Sequence, residues 1–418
     1  MLNIIQQIYK KNQRFINYFF LSLFVKYSTF IFDIIVIHKL SKEHFGQYSL
    51  IFMVANLAFT FGFSWHSSVL LYIGAGEKAV KGKFNFTFHA RNLITLFFVL
   101  FISITFKIGE SFLDNYLGIQ ILGGILLYLY GKIVGDYVRQ YFFAVQKQQT
   151  AQISVFIARI FQILMILILK VDLQQLILYM SLCEFLPLIL IYKFNFNDIR
   201  GLRTDWITFK RVLNFSFWQF FGFAGLYVIN FGDLAVIKHF LSVEDVATYN
   251  AAYRIFFGIA GTSYAITNYF AAYIVEAHKS KNFIRLKKFY KNDRRNIMGL
   301  IILGHLVLIA TSRWTIPIVC GKQYVESVGI FSILMIVSIF EFFILFYTIF
   351  LNTIEKYKLL QTANLFRAFI NIFLDIILIQ YFGIYGTAIA TVLAVIIFTV
   401  VLYFFSEPQI KNLYYKVE

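Results

Sequence analysis

The sequence predicts an all-α polytopic membrane protein of about 12 transmembrane helices, built as two pseudo-symmetric six-helix lobes. Three observations predict it. Of 418 residues, 60% are hydrophobic and 20% aromatic, and only 14% are charged, against about 25% charged in a soluble domain. Twelve apolar segments are long enough to cross a hydrocarbon layer of roughly 30 Å. Finally, Asp33-Ile-Ile-Val-Ile-His-Lys-Leu-Ser-Lys-Glu-His-Phe-Gly-Gln-Tyr48 is echoed by Asp233-Leu-Ala-Val-Ile-Lys-His-Phe-Leu-Ser-Val-Glu-Asp-Val-Ala-Thr-Tyr249. In both, an apolar helix carrying an aspartate ends at Leu-Ser and reopens toward a tyrosine. Two similar halves rich in spans are a transporter signature.

In order, the spans are expected at 15–39, 46–73, 92–108, 117–144, 151–170, 173–193, 212–239, 246–274, 297–318, 325–353, 359–380 and 384–405. The first follows the basic Lys10, Lys11 and Arg14, and ends at Lys39. Spans 2 and 3 are divided by Lys78, Lys81, Lys83 and Arg91, and span 3 ends at Lys107. Span 4 carries Lys132 and Asp136, span 5 Arg159, and span 6 Glu184. The polar stretch Phe194-Asn-Phe-Asn-Asp-Ile-Arg-Gly-Leu-Arg-Thr-Asp-Trp206 separates the halves, giving lobes 1–200 and 201–418. Span 7 carries Asp233, span 8 Arg254, and span 9 His305. Span 10 carries Glu341, span 11 Arg367 and Asp375, and span 12 starts at a glycine-rich turn. An even number of spans per half makes a parallel repeat about an axis along the membrane normal. Lys147 and Arg159 in the first half are matched by Lys356 and Arg367 in the second.

The formal net charge is +17. With the N-terminus inside, 26 Lys and Arg fall on the inner side and 7 on the outer. The remaining five are the mid-span Lys26, Lys132, Arg159, Arg254 and Arg367. This asymmetry places both termini in the cytoplasm and accounts for the positive charge without nucleic acid. No cleavable signal peptide is expected.

Outer loops of about 10 residues leave no room for a catalytic domain. No Walker or other glycine-rich phosphate loop occurs, and His66, His89 and His305 share no spacing with carboxylates suited to acid–base work. Cys183 and Cys320 lie in or beside apolar segments and are read as core residues. The chain is therefore expected to be no enzyme, with no cofactor and no metal site.

A charge at mid-membrane costs about 2.5–3.5 kcal/mol on insertion scales and persists where it faces a bundle interior or a watery cavity. Lys132 and Asp136, four apart on one helix face, are expected to pair. Asp33 and Asp233 lie near Lys39 and Lys238 and are assigned either ion coupling or pairing. Arg159, Glu341, Arg367 and Asp375 are structural or secondary cavity charges. Lys26 and Arg254 have no acidic neighbour at helical spacing on their own helices. They are the candidate substrate-binding residues, since guanidinium and ammonium groups suit a diphosphate. The basic segment 278–295, with Phe283, Leu286, Phe289 and Tyr290 at helical spacing, is expected to lie as an amphipathic helix on the inner leaflet.

Three stretches carry a resemblance to a family. Leu40-Ser-Lys-Glu-His-Phe-Gly-Gln-Tyr48 and Leu241-Ser-Val-Glu-Asp-Val-Ala-Thr-Tyr-Asn250 resemble the turn after the first span of each lobe in Wzx-type polysaccharide flippases. Tyr381-Phe-Gly-Ile-Tyr-Gly-Thr-Ala-Ile-Ala-Thr391 resembles the small-residue start of that family's last span. These flippases belong to the multidrug/oligosaccharidyl-lipid/polysaccharide exporter superfamily. The resemblance implies two lobes forming a V and export of an undecaprenyl-diphosphate-linked repeat unit of O-antigen or capsule by alternating access. It further implies a cationic cavity for diphosphate and glycan, and residence in the bacterial inner membrane. The expected partners are the lipid-linked oligosaccharide, membrane lipids and a polysaccharide polymerase, with a monomer as the working unit. The alternatives are a peptidoglycan lipid-precursor flippase and a multidrug or cation antiporter of the same superfamily.

Overall fold

The computed structural model describes the backbone of residues 2–169, 172–201, 204–354 and 356–415. It describes their side chains except at 2–16, 18, 19, 262–269, 272, 273, 276, 279, 357 and 415. Of the basic residues behind the expected orientation, the side chains of Lys10, Lys11, Arg14, Lys170, Arg203, Lys279 and Lys416 lie outside that set.

The fold is all-helical, with no strand among the described residues. It divides into two compact units, Met1–Ala224 and Gly225–Glu418. The first contains α1 (Leu2–Lys39), α2 (Lys42–Phe59), α3 (Trp65–Ser67), α4 (Ala75–Lys81), α5 (Asn85–Ile108) and α6 (Glu110–Leu117). It continues with α7 (Leu122–Ala144), α8 (Gln148–Ile168) and α9 (Leu173–Cys183). The division falls inside α10 (Trp206–Phe240). The second unit adds α11 (Val243–Lys279), α12 (Phe283–Lys288), α13 (Arg294–Cys320), α14 (Ser327–Thr353), α15 (Tyr357–Phe382) and α16 (Ile384–Ile410).

Among the described residues ten helices are long and apolar enough to span a membrane. They become eleven when α6 and α7, bent by 98° at their junction, count as one. The remaining expected span, 246–274, is α11, part of whose side chains lie outside the described residues. The chain is a multi-pass membrane protein.

The second span is not one regular helix. From Lys42 to Lys81 it is interrupted by π-helical turns at Thr60–Ser64 and Leu70–Gly74. Each wide turn shifts the helical register and frees backbone carbonyls for side chains. Trp65 Nε1 donates to the Phe61 carbonyl at 2.9 Å, and a His66 ring nitrogen lies 3.0 Å from the Gly62 carbonyl. Glu77 anchors the start of α5, accepting from the backbone N–H of Phe86 at 3.2 Å and of Thr87 at 2.9 Å.

The two echoed turns are helix caps. Ser41 Oγ accepts from the His44 N–H at 3.2 Å. Ser242 and Asp245 form a reciprocal pair at the head of α11. The Asp245 N–H donates to Ser242 Oγ and the Ser242 N–H to Asp245 Oδ2, each at 3.1 Å.

The segment 278–295 departs from the expected surface helix. α12 runs through a π-turn, Phe289–Asp293, straight into α13, and Leu286, Phe289 and Tyr290 are buried in protein. Tyr290 stacks on Tyr414 with centroids 5.7 Å apart, and Phe289 meets Phe346 at 5.8 Å. The helical periodicity located an apolar face correctly; the C-terminal turn and α14 cover that face.

Candidate functional site

Each unit buries a charged cluster. In the second unit the cluster comes from four helices. Asp233 on α10 is 4% exposed and Asp375 on α15 fully buried. Asn371, one turn before Asp375, donates from Nδ2 to Asp233 Oδ1 and to Asp375 Oδ2, each at 2.9 Å. Thr391 Oγ1 on α16 donates to Asp233 Oδ2 at 3.1 Å, and the Tyr249 hydroxyl on α11 donates to the same oxygen. No described basic side chain forms an ion pair with either carboxylate. Two carboxylates in so dry a setting demand compensation, and the amide of Asn371 and the hydroxyls of Thr391 and Tyr249 supply hydrogen bonds to them.

α15 and α16 pack tightly enough for this because the turn between them is glycine-built. Gly383 has φ +56°, and a Cβ on Gly386 would fall on the Leu378 carbonyl of the preceding helix. Thr391 therefore reaches Asp233 from one turn beyond the close contact.

In the first unit the centre is Asp136 on α7. Arg91 from α5 and Arg139 from α7 each donate to it at 2.7 Å, and Ser67 Oγ from α3 at 3.0 Å. Gln140 Nε2 donates to Ser67 Oγ at 3.0 Å. Arg91, 2% exposed, also lies 3.9 Å over the Tyr137 ring. Beside this network a cavity of about 190 Å³ is lined by Lys132, Asp136, Arg139, Arg159, Gln162 and Glu184, with aromatic walls from Phe59 and Tyr128.

The sequence-predicted residues distribute as follows. Lys26 and Asp33 are half-buried on α1 in the first unit, and Arg254 is half-buried on α11 in the second. Lys132 does not pair with Asp136. Its ammonium donates to Asn56 Oδ1 at 2.6 Å and sits 4.5 Å over Phe59, because two arginines already occupy the carboxylate. Asp233 does not pair with Lys238; its hydrogen-bond donors are the uncharged Tyr249, Asn371 and Thr391. Arg367 pairs with Glu341. Among the described residues its repeat counterpart Arg159 forms no ion pair; the guanidinium lies 5.1 Å over Phe32. The residues that sequence reasoning passed over are Arg91, Arg139, Asn371, Tyr249 and Thr391. Arg91 and Arg139 were counted among inner-side charges. Asn371 lies one helical turn from Asp375, a spacing that was available to find it.

No protein-family model matches the chain, and no curated protein matches its sequence. Solved structures match its fold. A lipid II flippase, MurJ, in an inward closed conformation is similar at TM-score 0.74 and 17% identity, over 96% of this chain and 90% of that one. An inward-facing multidrug resistance transporter of the MATE family, in the MOP superfamily, gives TM-score 0.69 and 15% identity, over 94% and 96%. A MATE transporter in complex with MaD3S gives 0.61 and 14%, over 95% of each chain. The chain has the fold of the MurJ and MATE transporters.

Proposed function

We propose that this protein flips an undecaprenyl-diphosphate-linked oligosaccharide repeat unit from the inner to the outer leaflet of the bacterial cytoplasmic membrane. Alternating access moves the substrate, and both termini face the cytoplasm. The observation that carries this reading is the set of five mid-span basic residues on a fold shared, across nearly its whole length, with a lipid flippase. A buried cation on a lipid-flippase scaffold suits a phosphorylated headgroup. Lys26 and Arg254 are the residues this reading assigns to the diphosphate. Asp233, with Asp375 beside it, takes the coupling proton or sodium ion.

A second reading, flipping of a peptidoglycan lipid precursor, is favoured by the likeness to the lipid II flippase. The experiment that decides is deletion of the gene in its host followed by analysis of lipid-linked glycans. Accumulation of a lipid-linked oligosaccharide on the inner leaflet, with loss of surface polysaccharide, is expected. Unchanged pools of both defeat the proposal, and accumulation of lipid II instead selects the second reading. Complementation with Lys26→Ala and Arg254→Ala should restore export at a tenth of the wild-type rate or less; full export removes these two residues from the site. Asp233→Asn should abolish dependence of export on the proton or sodium gradient.

A further inference from the structure

We infer that the first unit holds a binding site of its own for a small oxyanion, a phosphate or phosphomonoester, in the cavity between α7, α8 and α9, held by Lys132 and Arg159. The inference is independent of the roles of Lys26 and Arg254.

Charge is the first argument. Four basic side chains, Arg91, Lys132, Arg139 and Arg159, surround two acids, Asp136 and Glu184, within this cavity and the network behind it. Asp136 is already held by Arg91 and Arg139. Glu184 alone is left to offset Lys132 and Arg159, and one of its oxygens accepts from Gln162 Nε2 at 3.0 Å. The cluster is net positive in an environment where an uncompensated charge is costly.

Unused donors are the second argument. Among the described residues Arg159 has no ion pair, and its Nε is buried without a hydrogen-bond partner. Arg139 Nε is buried and unpartnered in the same way. Arginine keeps its charge at any accessible pH and presents N–H groups in a fixed fork, the geometry that a tetrahedral oxyanion completes. Lys132 spends one N–H on Asn56 and has two more.

Size is the third. At about 190 Å³ the cavity is below the roughly 300 Å³ from which sites for drug-sized ligands begin. It equals the liquid volume of about six waters, room for one phosphate group. The aromatic walls, Phe59 and Tyr128, offer ring faces to the Lys132 cation at 4.5 and 5.7 Å and leave the anion to the guanidinium and ammonium groups.

The test is titration of the purified full-length protein with inorganic phosphate by calorimetry at constant ionic strength. A second arm uses nanodiscs of phosphatidylcholine with and without phosphatidic acid. Saturable phosphate binding is expected. Arg159→Gln should weaken it about tenfold to a hundredfold, the loss of charge-assisted hydrogen bonds. Glu184→Gln, which keeps the shape and removes the nearest negative charge, should tighten it several-fold. That gain guards against misreading a folding defect in the arginine variant. The weakening by Arg159→Gln should persist in a background carrying Lys26→Ala and Arg254→Ala, which removes the two residues assigned to the diphosphate. Displacement of phosphate by phosphatidic acid identifies a lipid headgroup as the source, and its failure to displace identifies a soluble phosphate; either supports the site. Absence of saturable binding, or equal affinity in wild type, Arg159→Gln and Glu184→Gln, overturns it.

Discussion

Asp136 gathers Arg91, Arg139 and Ser67 around one carboxylate, and the two arginines are not equivalent. The Arg91 side chain is 2% exposed and Arg139 38% exposed. Removing one partner of a buried pair strands the other charge and costs about 3–5 kcal/mol. A partner that reaches solvent contributes about 1 kcal/mol or less. Asp136→Asn should therefore lower the thermal midpoint of the detergent-solubilised protein far more than Arg139→Gln does. Equal losses in unfolding scans of the two variants would falsify the central place given to the Arg91–Asp136 pair. At this scale the sequence marked Asp136 and Lys132 as costly residues but could not show their partners. Arg91 is 45 positions away from Asp136 and Ser67 is 69, and helical spacing speaks only for neighbours on one helix. The nearer pairing, Lys132 with Asp136, satisfied the spacing rule and lost to better-placed guanidinium groups.

The helix elements were the most legible, and their ends most of all. The Leu-Ser turns that echo across the halves prove to be caps, which gives them a structural reason to recur at equivalent places. The two caps differ in strength, since Ser242 and Asp245 bond reciprocally while Ser41 accepts one N–H. Ser242→Ala is expected to cost about 1 kcal/mol, and Ser41→Ala less, as read from denaturation midpoints. Gly386 gives a sharper case. An added Cβ would lie within 2.7 Å of the Ile379 nitrogen as well as on the Leu378 carbonyl, and backbone cannot swing aside as a flexible side chain can. Gly386→Ala should separate α15 from α16 and sharply lower folded yield, together with any property that depends on Thr391 reaching Asp233. Gly304→Ala, where a Cβ meets nothing within 4 Å, should be neutral or slightly stabilising. Similar behaviour of the two glycine variants in size-exclusion profiles and thermal scans would contradict the close-packing argument. The interruptions of the second span by π-turns had no signal in composition, because a wide turn and a regular one have the same hydropathy.

For the whole molecule, composition determines the solvent, and the proposed direction rests on charge asymmetry. Large exposed apolar side chains, such as Phe97, Leu100, Leu303 and Phe404, each more than half accessible, form the surface that lipid covers. The lipid-facing placement expected for 278–295 is overturned for a related reason: periodicity identifies an apolar face, but lipid and protein satisfy that face equally well. Direction depends on a different physical quantity, the excess of 26 basic residues over 7, which the side-chain packing does not alter. It is tested by labelling. Cys183 and Cys320 are free and buried, so both can be replaced by alanine to give a background without thiols. Single cysteines are then placed at Ser111, exposed after the third span, and at Ser280, exposed in the basic connection before α12. A membrane-impermeant maleimide should modify Ser111→Cys in intact spheroplasts and Ser280→Cys only after the membrane is opened. The reverse pattern would place both termini outside and turn the proposed direction of flipping around, because the basic connections would then face the leaflet that receives the substrate.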